Sequence, residues 1–289
     1  MRRALFFAVL CLVLACRQKN AAPTNEPKAA KRIVSISPST TEAAFGVGAG
    51  ALVVGRSRYC DFPPEVSKIP DVGGYVDANY EAILALSPDL VVGARGPAGA
   101  SLTERLSARG VATYFPETES FAAIDAMLLG IGERTGHATE ARATIARIDA
   151  RVAAVERAVK DKPRVRTLLV FGLRPLSVAG PSSFSDEMLR KAGGENVIRE
   201  GGAYPTIGLE HVVALDPDLI VNAAMAESRA FDAIGPDSPG FSHVRAVKQG
   251  HVVRIVDESV LRPGPRVAEG LASLARAIHP DAALDEADR

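Results

Sequence analysis

The chain contains no tryptophan and few aromatic residues of any kind, ten phenylalanines and five tyrosines among 289 residues. Any aromatic binding surface must therefore be built from a handful of identifiable side chains. Cysteine is scarcer still, with only Cys11, Cys16 and Cys60. Neither sign of charge is in excess, since 34 basic residues face 34 acidic ones, and such a balance offers nothing to nucleic acid. The one long apolar run, residues 4–15, is too short to cross a hydrocarbon core of about 30 Å. Catalytic signatures are missing as well: there is no Walker A loop, no His-Glu-x-x-His and no Gly-x-Ser-x-Gly. The five histidines, His137, His211, His243, His251 and His279, lack the close spacings of a metal site, so surface or capping roles are expected for them. Residues 46–51, Gly-Val-Gly-Ala-Gly-Ala, match a dinucleotide fingerprint as a string, with Asp71 downstream. A helical pattern precedes that string and a strand follows it, the reverse of the order that brings phosphate to a helix N-terminus, so it reads as a glycine-rich helix stop.

What the chain does contain is a phrase of fourteen residues written twice, at 79–92 and at 208–221. Both copies keep a glutamate (Glu81, Glu210), the apolar spacing, a Pro-Asp pair (Pro88-Asp89, Pro217-Asp218) and the β-branched run that follows. Each predicts a short amphipathic helix, stopped by a residue that precedes proline and so avoids the α conformation, and then a buried strand. A separation of about 130 residues is too long for a solenoid repeat and suits a duplicated domain. Strands are predicted at 32–36, 51–54, 89–92 and 111–115, and helices at 80–86, 101–109 and 121–134. A capping-box pattern over Ser39, Thr40, Thr41 and Glu42 is taken to start a short helix after the first strand. Alternation of this kind points to a mostly parallel sheet with helices on its faces. The second half repeats the scheme with strands at 166–171, 176–179 and 251–256 and a helix at 185–191. A last helix is expected to begin at Pro265 or Arg266.

Between the halves, Ile145, Ile148, Val152, Val155 and Val159 recur at spacings of three and four, which predicts one amphipathic helix over 139–160, about 33 Å long. The expected fold class is α/β, two similar lobes with mostly parallel sheets joined by one long rigid α-helix, with a ligand cleft between the lobes. The 47% apolar composition suffices for a full core in each lobe. The domain boundaries that follow are an N-terminal lobe over 32–136, an interlobe helix over 137–161, a C-terminal lobe over 162–280 and a frayed tail over 281–289.

The N-terminus addresses the compartment. Arg2 and Arg3 precede the apolar run, and residues 13–16, Val-Leu-Ala-Cys, resemble a lipobox, which makes 1–15 a lipoprotein signal peptide and Cys16 the acylated residue. The competing reading is an ordinary signal peptide cut near Ala22, with Cys16 incidental. Residues 16–31 hold two prolines and no apolar periodicity, as a flexible tether does. Loss of residues 1–15 removes Cys11, and acylation would occupy Cys16, which leaves Cys60 alone and either buried and inert or reactive.

With these segments laid out, the chain resembles the helical-backbone substrate-binding proteins of ABC importers, the group that carries cobalamin, ferric siderophores and haem. The resemblance spans residues 32–280 and rests on 32–42 (Arg-Ile-Val-Ser-Ile-Ser-Pro-Ser-Thr-Thr-Glu), 58–64 (Arg-Tyr-Cys-Asp-Phe-Pro-Pro), 72–75 (Val-Gly-Gly-Tyr), both repeat phrases and 262–266 (Arg-Pro-Gly-Pro-Arg). It is most similar to the cobalamin-binding branch, with Tyr75 and Tyr204 where tryptophans are expected. What the resemblance implies is a monomeric receptor in the cell envelope, periplasmic or otherwise extracytoplasmic, tethered by lipid. It would hold no cofactor or catalytic metal, would not be an enzyme, and would pass a corrinoid to a permease dimer with its ATPase subunits. The same resemblance allows a ferric siderophore or haem as cargo, and more remotely an enzyme or metal-handling lipoprotein on this fold.

The candidate ligand contacts are Tyr59, Tyr75 and Tyr204, each in a Gly/Pro-rich connection beyond a strand end, where an α/β lobe presents its ligand residues. A tyrosine there offers an apolar face and one hydroxyl, suited to a large flat macrocycle, or else simply covers its own lobe. Arg95, Arg174 and Arg262 are candidate partners for carboxylate, phosphate or amide oxygens, against the alternative of plain solvation. Arg266 is assigned to loop structure. The family resemblance makes Glu81 and Glu210 the pair that meets arginines on the two permease subunits; otherwise each merely complements a helix dipole.

Overall fold

The computed structural model describes residues 29–96, 99–224, 234–236, 238 and 240–284. In chain order the elements are β1 (Ile33–Ser35), α1 (Pro38–Gly46), β2 (Val53–Arg56), α2 (Tyr80–Ala85), β3 (Leu90–Val92), α3 (Gly99–Ser107), β4 (Ala112–Tyr114), α4 (Phe121–Thr135) and α5 (Ala138–Val159). The second half follows with β5 (Val165–Leu173), β6 (Leu176–Val178), α6 (Phe184–Lys191), β7 (Gly194–Asn196), α7 (Leu209–Leu215), β8 (Leu219–Asn222), α8 (Arg245–Lys248), β9 (Val252–Arg254) and α9 (Val267–Ile278). β1 to β4 form an all-parallel sheet in the order β2-β1-β3-β4. The other sheet runs β5-β8-β9 in parallel, and the free edge of the long β5 is shared by β7, parallel at its start, and β6, antiparallel at its end. Setting β6 aside, the two lobes have the same strand order.

The duplication extends to single hydrogen bonds. At the first repeat the guanidinium of Arg32 donates to the Leu86 carbonyl that ends α2, and the Asp89 amide donates to the Arg32 carbonyl. At the second, Arg166 donates to the Leu215 carbonyl that ends α7, and the Asp218 amide donates to the Arg166 carbonyl. In each lobe, then, an arginine at the first strand satisfies the otherwise unpaired C-terminal carbonyl of the repeat helix. Both residues before proline leave the right-handed helix for positive φ, Ser87 at 47° and Asp216 at 42°.

α5 has the expected 22 residues, about 33 Å. Ile148, Val152, Val155 and Val159 are buried along one face. It is tied to both halves: the Thr144 hydroxyl donates to the Gly46 carbonyl at the end of α1 (2.9 Å), Arg151 pairs with Glu269 of α9, and Glu156 pairs with Lys191 of α6 (2.9 Å). The expectation of a full core in each lobe needs correction. The outer face of each sheet has its own cluster, but the inner faces of both sheets pack with α1, α4, α5, α6 and α9 into one continuous core. Burying Leu271 and Leu274 of α9 completely contributes ~1.5–3 kcal/mol each, and part of that stabilisation acts between the lobes.

Other differences are local. The capping box does not form, because Pro38 takes the first turn of α1 and Ser37 is its N-cap without a side-chain cap bond. Glu42 is thereby carried one turn into the helix and becomes a buried ion-pair residue. Val267 rather than Pro265 or Arg266 opens α9. The tail is packed at its start: Asp281 accepts from Lys162 (2.7 Å), and Ala282 and Leu284 lie against the core. β7 and α8, three and four residues long, were too short to give a periodic signal. The signal peptide, Cys16 and nearly all of the tether lie outside the described residues. Among the described residues no helix is long and apolar enough to cross a membrane.

Candidate functional site

A cavity of 380 Å³ opens between the lobes where the strands of both sheets end. The β1–α1 junction contributes Ser37 to Ser39, the loop after β3 contributes Ala94 and Arg95, and the segment between β4 and α4 contributes Thr118 and Glu119. Tyr75 comes from the loop before α2, and Glu258, Leu261, Arg262 and Pro263 close the far side. Each loop leaves the C-terminal end of a parallel strand, the usual position for ligand contacts in such a sheet.

Tyr75 is fixed in the wall because its hydroxyl donates to the Arg95 carbonyl at 2.7 Å. The ring passes so close to Gly96 that a Cβ there would lie 1.7 Å from the tyrosine oxygen, which is why that position carries glycine. Burial, with the nearby charge of Glu119 adding to it, raises the Tyr75 pKa, so the hydroxyl stays protonated. Across the cleft, the Tyr204 hydroxyl donates to Glu119, and its ring meets Phe171 edge-on at 5.5 Å between centroids. Burial and the bond to Glu119 push the Tyr204 pKa up as well. Tyr204 nevertheless keeps 45% of its surface exposed and Tyr59 keeps 55%, enough free aromatic face to pack against a ligand. Tyr59 stands beside Gly74, next to the Tyr75 loop.

The arginines behave differently from the tyrosines. Arg262 lines the cavity, yet its guanidinium is occupied by Glu42 and Asp61, each at 2.8 Å, and by Glu258. Desolvation opposes its charge, but bonds to Glu42 and Asp61 outweigh that and raise its pKa. Arg266 grips the same Glu42 in bidentate fashion, Nε to Oε2 at 2.8 Å and Nη2 to Oε1 at 2.7 Å, and lies 4.0 Å over the Phe62 ring. The structural role expected of Arg266 is therefore observed. Arg95 is exposed and pairs with Glu117 at 2.8 Å. Arg174 sits at the tip of the β5–β6 hairpin and is not among the residues lining the cavity. Glu81 and Glu210 are exposed in the first turns of α2 and α7, at matching places in the two repeats, and neither lines the cavity. Cys60 is buried and accepts from the Thr41 hydroxyl at 3.1 Å.

The acids of the site were the residues that sequence reasoning missed. Asp61, Glu117, Glu119 and Glu258 all enter the cleft or its ion pairs, and the tyrosine criterion, a loop beyond a strand end, applies equally to Glu117 and Glu119. Glu119 also joins the lobes: it accepts from the Phe184 amide that opens α6 (3.4 Å), while Glu187 of α6 accepts from the Phe121 amide that opens α4 (3.0 Å). Both amides are unpaired first-turn donors of their helices. The Phe121 and Phe184 rings meet at 6.1 Å beneath them.

Two lobes of one topology, a long helix between them and a cleft at the strand ends define a two-lobed ligand-binding protein. The chain belongs to the periplasmic binding protein family, whose model matches residues 33–258. It is 30% identical to a cobalamin-binding protein of Halobacterium salinarum over 258 residues, 86% of this chain and 69% of that one. It is 32% identical to the vitamin B12-binding protein of Salmonella typhimurium over 199 residues, 68% and 74% of the two chains. Among solved structures, a periplasmic heme-binding protein from Pseudomonas aeruginosa matches with a TM-score of 0.75 at 27% identity, covering 88% of this chain and 94% of that one.

Proposed function

We propose that this protein is the substrate-binding component of an ABC importer and that its cargo is cobalamin or a related corrinoid, held between Tyr59, Tyr75 and Tyr204. The observation that carries this reading is the pair of partly exposed tyrosine rings on opposite lobes, Tyr75 in the lining of the 380 Å³ cavity and Tyr204 bonded to Glu119 of that lining. Two flat apolar faces, each with a hydroxyl at its edge, suit a macrocycle with an apolar ring and a polar periphery. Support comes from relatives that are named for cobalamin or vitamin B12 at 30% and 32% identity. The second reading, haem in the same cleft, is favoured by the heme-binding structure at 27% identity.

Delivery is assigned to Glu81 and Glu210, which present matching carboxylates on the two lobes to arginines of a permease dimer. Attachment to the membrane is assigned to acylated Cys16, and Cys16→Ser releases the folded protein from the membrane fraction. Arg95 and Arg262 take part in the cleft through their ion pairs; Arg174, at the hairpin tip outside the cavity lining, is assigned no ligand contact.

The reading is tested by thermal unfolding of the protein with cobalamin, cobinamide, haem and ferric siderophores. A ligand that binds only the folded state stabilises it by ~2.7 kcal/mol at a hundredfold excess over Kd. Shifts with the first two alone support a corrinoid receptor. A shift with haem or a siderophore alone moves the assignment to that cargo.

A further inference from the structure

We infer that Glu119 is the specificity-determining residue of the cleft: its fixed negative charge admits a neutral macrocycle bearing amide or hydroxyl donors and rejects one bearing carboxylates. This deepens the corrinoid reading and rests on it. Among the described residues, each cationic side chain lining the cavity is already matched by a carboxylate, Arg95 by Glu117 and Arg262 by Glu42, Asp61 and Glu258. Glu119 has no cationic partner among the described residues; its carboxylate is held by the Tyr204 hydroxyl and the Phe184 amide, which are neutral donors. The cavity wall thus carries an uncompensated acid at the point where both lobes meet.

The consequences for a ligand are chemical. A carboxylate already oriented by two donors has lone pairs left to accept from an amide N–H or a hydroxyl, and charge-assisted bonds of that kind are stronger than neutral ones. Glu119 is exposed in the unliganded cleft, but a ligand carboxylate that displaces the water there meets a like charge, with no free guanidinium among the described lining residues to neutralise it. Corrinoids carry primary amides around the ring, whereas haem carries two propionates. The acid lies on the segment between β4 and α4, and its two partners belong to the other lobe.

The test compares cyanocobalamin with a monocarboxylate made by hydrolysing one of its peripheral amides, two ligands of the same ring and nearly the same shape. Binding is measured by calorimetry to the wild type, Glu119→Gln and Glu119→Asp. Gln at this position still accepts from Tyr204, so the unliganded melting temperature serves as a control on folding. The wild type and Glu119→Asp are expected to prefer the amide form by at least about tenfold, ~1.4 kcal/mol. Glu119→Gln is expected to bring the two affinities to within about threefold. Corrinoid binding with equal affinity for both forms in the wild type, or an unchanged preference in Glu119→Gln, overturns the role of Glu119 and leaves the corrinoid receptor standing. Absence of binding by either form overturns both.

Discussion

Glu42→Gln measures how much of this structure depends on one buried carboxylate. Glu42 is 2% exposed and accepts from Arg262 Nη1 at 2.8 Å and from Arg266 Nε and Nη2 at 2.8 and 2.7 Å. Glutamine keeps the volume but turns an amide donor toward donors, and it removes the charge that offsets burial of two guanidinium groups. Removing one partner of a buried ion pair costs ~3–5 kcal/mol. Arg262 retains Asp61 and Glu258, and Arg266 is 24% exposed, which places the expectation at the low end, about 3 kcal/mol. For a body of this size each kcal/mol moves the melting temperature by ~2–4 °C, so a fall of ~6–12 °C is expected. Circular dichroism melts of the two proteins at one pH and salt concentration measure it. Glu65→Gln, on an exposed turn, is the control and should change stability by no more than ~0.5 kcal/mol. If Glu42→Gln melts within ~2 °C of the wild type, the buried cluster of Glu42, Arg262 and Arg266 contributes little to stability and the expectation of ~3 kcal/mol is refuted.

Other perturbations probe other links. Burial and then the neighbouring Asp149 raise the Asp125 carboxyl from 3.8 to about 6; the folded state therefore binds this proton more tightly than the unfolded chain, and the stability it contributes is full below 3.8 and lost as pH rises through about 6. Asp125→Asn, a mimic of the protonated form, should stabilise the fold at pH 7.5 by about 1 kcal/mol after allowing for solvent screening, read as a higher melting temperature, and should match the wild type near pH 3.5; an equal effect at both pH values contradicts this. Gly96→Ala sets a methyl group 1.7 Å from the Tyr75 oxygen, so the ring must leave the cleft wall. Ligand affinity should fall about tenfold with a single-digit loss in melting temperature, and unchanged affinity removes Tyr75 from the site. The double reversal Glu81→Arg, Glu210→Arg should leave ligand affinity and melting temperature nearly unchanged and abolish uptake in reconstituted vesicles, since like charges then meet across the interface; surviving uptake reduces both glutamates to helix-dipole residues.

The sequence exposed the fold wherever the same physics was written twice or at length. α5 was legible because its apolar residues recur with helical period over 22 residues, and α2-β3 and α7-β8 because each contains the same helix, pre-proline stop and buried run. Tyr75 was legible as a cavity residue because its loop lies beyond a strand end; Tyr59 and Tyr204, chosen on the same criterion, are not in the cavity lining. Contacts between segments distant in the chain were not legible. Glu42 and Arg262 are 220 residues apart and Glu119 and Tyr204 are 85 apart, so no local pattern couples them. For that reason Glu42 read as a capping residue, Arg262 as a ligand contact or a solvated cation, and Glu119 was not singled out. The single shared core escaped for a related cause: periodicity tells which face of an element is buried, not against which lobe.

The central claim is that a corrinoid lies between the tyrosine-bearing walls of this cleft. Calorimetric titration of cyanocobalamin into the wild type, Tyr75→Ala and Tyr204→Ala tests it most directly. The account predicts one ligand per chain, with each substitution weakening binding by about tenfold or more, as loss of an aromatic contact at the centre of a site does. No heat with the wild type, or affinities that ignore both substitutions, would contradict it.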